Sequence, residues 1–338
     1  MLPLIPMESS LYNPFDKFLF DENTCFLSGV PLEVPLHYSV FPAWILEEHQ
    51  IGEQVFKMLD ESYRKYSDLK LPCSPTVFEQ LTQLDDEIYQ AFQKGFSGVQ
   101  ALDQVRLFQW IGKWVYGIIF NEIQAGIEQQ RQSGEAMNFS QTLVHKFSHL
   151  HLMLQSLIRE TEFEAVNPFT IMIYPVDNPE KTYNYRDEIN TLVFSLRIRD
   201  LGIIACLQDN GANAKYHQEI LEASAGHILH PIQFEEICAR FFYSCYLFNR
   251  LPEYIVTSVG QKVYIEPMSL FGSDNRPLFD YFQAKTYGQV LENFWKPWGL
   301  TLFEIIKDPE NPLSFLTGPE GKFIEREDLN LPASAGGL

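Results

Sequence analysis

The chain has 338 residues, 46% of them hydrophobic and 20% charged, with 44 acidic against 25 basic side chains and a formal net charge of −19. That balance belongs to a folded protein with ample material for a core and excludes a disordered chain. No cluster of Lys and Arg is present to neutralise a row of phosphates, so the acidic surplus favours a protein partner over nucleic acid. Five scattered cysteines (Cys25, Cys73, Cys206, Cys238, Cys245) form no Cys-x-x-Cys pair, a reduced, intracellular pattern. The first residues lack the basic region and apolar core of a secretory signal. The most apolar window, residues 107–120, contains Lys113 and is too short to span a bilayer. These features predict a cytoplasmic protein that does not enter a membrane.

In chain order, residues 1–24 read as an irregular lead-in whose aromatics tack it onto the body. Pro42 suits the first turn of a helix, where its missing N–H costs nothing. Further helices are predicted over residues 51–66 and 75–93. Residues 102–160 then read as two long helices joined by a polar turn. Val105, Phe108, Ile111, Val115, Ile118 and Ile119 mark the apolar stripe of the first, widened by Trp110 and Trp114. Leu143, Phe147, Leu150, Leu154 and Leu157 mark that of the second. Gly134 suits a helix stop, and Asn138 with Gln141 resembles a capping box.

Beyond residue 165 the period changes from helix to strand. Residues 170–176 and 192–198 read as strands, the latter with Leu192, Phe194, Leu196 and Ile198 on one face and Val193, Ser195 and Arg197 on the other. A strand over residues 203–208, helices over 216–223 and 231–249, a hairpin pivoting at Gly260 and a helix over 277–295 follow. The Pro- and Gly-rich end, closing on LPASAGGL, reads as irregular and disordered. The fold class is therefore α+β: a helical body around a long helical hairpin, with an antiparallel sheet of about five strands in the C-terminal half. Its segments are 1–100, 101–165, 166–310 and an irregular tail over 311–338, in one continuous unit. No G-x-G-x-x-G, P-loop or G-x-S-x-G motif occurs.

Residues 25–46, CFLSGVPLEVPLHYSVFPAWIL, carry Cys25-x-x-Ser28-Gly29 followed by Val40-Phe41-Pro42-Ala43-Trp44-Ile45. This segment resembles the start of an HNH-type, treble-clef nuclease module. The resemblance implies a zinc knuckle and a catalytic histidine, but Ser28 stands at the second knuckle cysteine, Ser39 at the histidine and Tyr38 at its acidic neighbour. A structural zinc needs about four N or S ligands, and a serine does not accept a proton from water near neutral pH. The implied module is one that has lost metal and catalysis and keeps a role in folding or docking. His37, two residues before Ser39, is the alternative catalytic base.

Three further groups carry candidate chemistry. His145 and His149 lie one helical turn apart with His151 beside them, and Glu122 is the nearest candidate acid, a set that would hold zinc or another divalent metal. Residues 182–190 read as a polar loop, in which Tyr183, Tyr185, Arg186, Asp187 and Glu188, with Arg197 and Arg199 from the adjoining strand, would bind a partner or an anionic ligand. Cys73 precedes a helix start, where a thiol pKa is lowered. Tyr243, Tyr246 and Phe248 beside Cys245 read as core. The leading functional expectation is a non-catalytic binding or scaffold protein without cofactor. The alternative is a metal-dependent nuclease or hydrolase using His37 or the histidine group.

Overall fold

The computed structural model describes residues 11–134, 140–179, 182–272, 275–318 and 320–331. Along the chain these form β1 (Leu36–Ser39), α1 (Ala43–Glu48), β2 (Val55–Lys57), β3 (Tyr63–Lys65), β4 (Lys70–Cys73), α2 (Pro75–Gln93), α3 (Phe96–Gln100), α4 (Gln104–Ser133) and α5 (Gln141–Leu154). There follow β5 (Thr161–Phe163), β6 (Thr170–Pro175), β7 (Asn184–Glu188), β8 (Val193–Ile198) and β9 (Leu201–Cys206). The last are α6 (Ala212–Tyr216), α7 (Gln218–Ser224), α8 (Pro231–Leu247), β10 (Tyr254–Val259), β11 (Lys262–Pro267), α9 (Ala284–Trp295) and α10 (Leu302–Ile305). The fold is α+β. It divides into two compact units: Met1–Tyr89, Gln109–Ala165 and Tyr254–Glu266 in the first, and Gln90–Phe108, Val166–Glu253 and Pro267–Leu338 in the second.

The first unit is built around α4, which is buried on every face from residue 109 to 123. Such a helix must satisfy polar side chains inside the core as well as pack apolar ones. Phe41 meets Trp114 edge-on at 5.2 Å, and Trp44 stacks parallel to Trp110 at 6.5 Å. Gly117 lies against Val40, whose methyl groups occupy the space a Cβ would need. The lead-in packs as expected: Phe15 and Phe20 are buried, the latter against Phe120. Three buried polar side chains of α4 have partners within the unit. Gln109 donates to Ser156, Asn121 to the carbonyl of Lys70, and Lys113 reaches Asp85 at 3.3 Å.

Two expectations in this unit are corrected. Residues 51–66 form the β2–β3 hairpin instead of a helix. The Asp60 carboxylate accepts from the backbone N–H and hydroxyl of Ser62, and Glu61 adopts φ 66°. This local Asx turn diverts the chain from helical geometry. The second hairpin helix begins at Gln141 on a Ser140 cap, whose hydroxyl accepts from the N–H of Leu143, and it ends at Leu154. Asn138 lies outside the described residues, as do residues 332–338, on which the expectation of disorder for the LPASAGGL end falls.

The second unit holds a four-stranded antiparallel sheet in the order β6-β9-β8-β7. Every residue of β8 and β9 is buried. Arg199 at φ 54° and Asp200 form the tight connection that pairs Ile198 with Leu201. The predicted alternation in β8 holds, with Val193, Ser195 and Arg197 facing α8. Helix α8 is held in turn by α9, where the Trp295 indole donates to the Ile232 carbonyl at 3.1 Å. Glu236 accepts from the N–H groups of Phe315 and Leu316 and fastens the C-terminal segment to α8.

Here too the sequence reading needs revision. Residues 184–188 are strand β7, not loop, because each residue pairs with one of β8. The hairpin at Gly260 does not extend that sheet; it joins β5 in a three-stranded sheet of the first unit, β11 running parallel to β5. Residues 216–223 break at His217 into α6 and α7, and α9 starts at Ala284, past the proline. Tyr246 is 72% exposed, while Tyr243 is buried.

Gly202 in β9 faces α8 so closely that a Cβ would overlap the Phe234 ring. Overpacking of a filled core costs about 1–3 kcal/mol. Gly202→Ala should therefore lower the stability of the protein by that amount in urea denaturation, and an unchanged midpoint would contradict the packing described.

Candidate functional site

The histidines of α5 separate into two environments. His151 is fully buried: Nε2 donates to the Phe26 carbonyl at 2.8 Å and the ring contacts Tyr12 and Tyr116. Burial lowers its pKa to about 4, so the imidazole is neutral near pH 7. Its neighbour Gln155 bonds both the N–H and the carbonyl of Tyr12. This pair staples the lead-in to α5. His145 and His149 lie on another face, half-buried, with ring centroids 4.1 Å apart, and Tyr254 meets the edge of His149 at 5.0 Å. Glu122 is elsewhere; its carboxylate accepts from the backbone N–H of Leu59. The structure thus brings His145 and His149 together and leaves His151 and Glu122 apart from them.

In the N-terminal segment, Cys25 and Gly29 form a tight turn, with the Gly29 N–H bonded to the Cys25 carbonyl and Thr24 bridged to Pro31. Gly29 has φ 70° and lies against the Tyr12 ring, a position where any side chain would be strained. The Cys25 thiol is buried 3.9 Å from the Ser74 hydroxyl. His37 is exposed and pairs through Nε2 with Glu22 at 2.8 Å. Tyr38 turns inward and donates to Asp85, the partner of Lys113. Cys73 does not have the lowered pKa expected of a helix start. It ends β4, buried, and burial pushes its thiol up to about 12.

The tyrosine and arginine group of the second unit centres on a buried carboxylate. Glu235 of α8 meets Arg197 at 3.3 Å, Arg186 at 3.9 Å and the Asn184 amide at 2.6 Å. Burial raises the Glu235 pKa even against these guanidinium groups. Arg197 also bonds Asn178 and Thr182, and Arg186 lies over the Phe294 ring at 4.5 Å and donates to the Asn293 carbonyl. These contacts join β7 and β8 to α8 and α9. Tyr185 packs against Phe194 on the opposite face of the sheet. Arg199 lies in the β8–β9 turn, Glu188 is exposed at the end of β7, and Tyr183 is half-buried just before it.

No protein-family model, curated protein or solved structure matches this chain. Among the described residues, no helix is long and apolar enough to cross a membrane.

One surface was not singled out by the sequence. β10 is an outer strand of the β10-β11-β5 sheet, and its residues 255–259 are exposed on both faces. Ile255 is 50% and Val259 63% exposed, with Val256 between them. The strand reads YIVTSV, with no charge and no proline, the devices that ordinarily blunt an edge. The hairpin signal was legible, but sequence does not say which side of a hairpin acquires a third strand.

Asp187, on β7, keeps partial exposure, yet the surrounding protein raises its pKa to about 6, burial outweighing the Tyr185 hydrogen bond. The folded state therefore holds this proton up to a higher pH than the unfolded chain does, and stability falls as pH rises from about 4 to about 6. Asp187→Asn should raise the urea midpoint relative to wild type near pH 7.5, with the gain vanishing below about pH 4. A gain that is constant with pH would refute the assignment.

Proposed function

We propose that the chain is a non-catalytic protein-binding component that takes an extended segment of a partner along the outer edge of β10. The observation that carries this reading is an uncharged, proline-free edge strand whose apolar side chains are exposed. Such an edge presents backbone donors and acceptors to a second strand, and alternate side-chain positions supply selectivity. The partner segment has apolar residues at alternate positions between Lys or Arg flanks. Its charge follows from that of the first unit, which carries 22 Asp and Glu against 10 Lys and Arg.

The part of the chain that resembles an HNH module serves folding in this reading. Supporting it, Ser28 and Ser39 replace the expected ligand and base, Val40 and Phe41 are core, and His37 is engaged by Glu22.

The test uses a fluorescent Lys-Lys-Val-Thr-Val-Thr-Val-Lys-Lys peptide and its Glu-flanked counterpart, followed by anisotropy. The Lys-flanked peptide should bind and the Glu-flanked one should not. Backbone N–H groups alternate in direction along a strand, so one of Val256→Pro and Thr257→Pro removes an outward donor. That variant should keep the wild-type melting temperature and lose about tenfold in affinity, equivalent to about 1.4 kcal/mol. No binding by wild type, or binding that survives both substitutions, would overturn the proposal.

A further inference from the structure

We propose that Cys206 and Cys245 form a reversible disulfide in response to peroxide, locking α8 onto the sheet of the second unit. All five cysteines are free thiols, and both members of this pair belong to the second unit. Their Sγ atoms lie 3.2 Å apart, although the residues are 39 apart in sequence. An approach of about 1.2 Å brings them to the roughly 2.0 Å of a disulfide bond. Cys206 ends β9, and Cys245 stands in the last turn of α8. Earlier in β9, Gly202 lies against the Phe234 ring, about three helical turns before Cys245. The two contacts therefore occur in the same order along strand and helix, and packing of the whole interface sets the pair. Cys238, between them on α8, is buried and bonds Ser195 of β8 instead.

The two thiols differ in access. Cys206 is 1% exposed, and burial raises its pKa well above the ordinary thiol range. Cys245 is 8% exposed and is followed by Tyr246, which faces solvent. Cys245 is thus the sulfur that meets the oxidant. It attacks one oxygen of hydrogen peroxide; the O–O bond breaks, and the departing hydroxide takes the thiol proton and leaves as water. The Cys206 sulfur then attacks the sulfenic sulfur of Cys245. The S–S bond forms, the S–O bond breaks, and the hydroxyl leaves with the Cys206 proton as a second water. Two electrons pass from the sulfurs to peroxide, and a dithiol reductant reverses the step. The cross-link closes a loop from sheet to helix, which restricts the unfolded chain and stabilises the fold. It is separate from the docking edge, because β10 belongs to the first unit.

The experiment exposes reduced, folded full-length protein to hydrogen peroxide, blocks the remaining thiols with iodoacetamide in urea, and maps tryptic peptides without reduction by mass spectrometry. Cleavage after Arg199, Lys215, Arg240 and Arg250 places Cys206 in residues 200–215, Cys238 in 216–240 and Cys245 in 241–250, so the three thiols are told apart. Wild type should yield peptide 200–215 joined to 241–250, and dithiothreitol should separate them. The linked protein should melt about 5 °C above its reduced form. Cys245→Ser should leave Cys206 free after peroxide and show no such rise. Because wild type is compared with itself in two redox states, the main readout stands even where the variant folds poorly. Peroxide-treated wild type with Cys206 and Cys245 both blocked, either one linked to another cysteine, or a linked form that melts no higher than the reduced form would each overturn the proposal.

Discussion

The second unit depends on one buried carboxylate. Glu235 sits on α8 with almost no solvent contact, and its charge is tolerated because Arg197, Arg186 and Asn184 converge on it from β8 and β7. Removing one partner from such a group leaves an uncompensated buried charge, which costs about 3–5 kcal/mol. The compensation fixes which residues of β7 and β8 face the helix, because a shift of one residue would carry Arg197 to the opposite face and leave Glu235 alone. Sheet register and helix position are therefore specified together. The first unit has a counterpart in Lys113, buried in α4 and matched by Asp85, which also accepts the Tyr38 hydroxyl.

These networks account for much of the chemistry that the sequence displays. Arg197, Glu235, His151, Gln155 and Glu122 are residue types that suggest a site when read in a string. In the fold each one satisfies a backbone group or an opposite charge that burial would otherwise leave without a partner. The β10 edge is different in kind. Tyr254 packs against His149, but residues 255–259 are exposed, and Ile255, Val256 and Val259 present apolar side chains to solvent.

Long, periodic elements were legible in the sequence because their signal is local. The stripe of α4 and the alternation of β8 identify those elements closely. The hairpin of residues 55–65 is hidden in the sequence because its helix-like spacing conceals the Asp60–Ser62 turn that directs the chain. β7 reads as a loop in the sequence because polar residues dominate it, and only the buried Glu235 makes Asn184 and Arg186 suitable for a strand facing α8. Of the histidine group, the i, i+4 pair could be read from helical geometry. The burial of His151 beneath the lead-in depends on a contact with Phe26, 125 residues away. Such separations are invisible to periodicity.

The central claim is that β10 is the surface by which this protein engages a partner. Hydrogen–deuterium exchange of the whole chain, with and without the Lys-flanked peptide, reads that edge directly. The account predicts slower exchange in the segment covering residues 254–259 when the peptide is present, with the amides of α8 unchanged. Peptide binding that leaves this segment's exchange unaltered would contradict it.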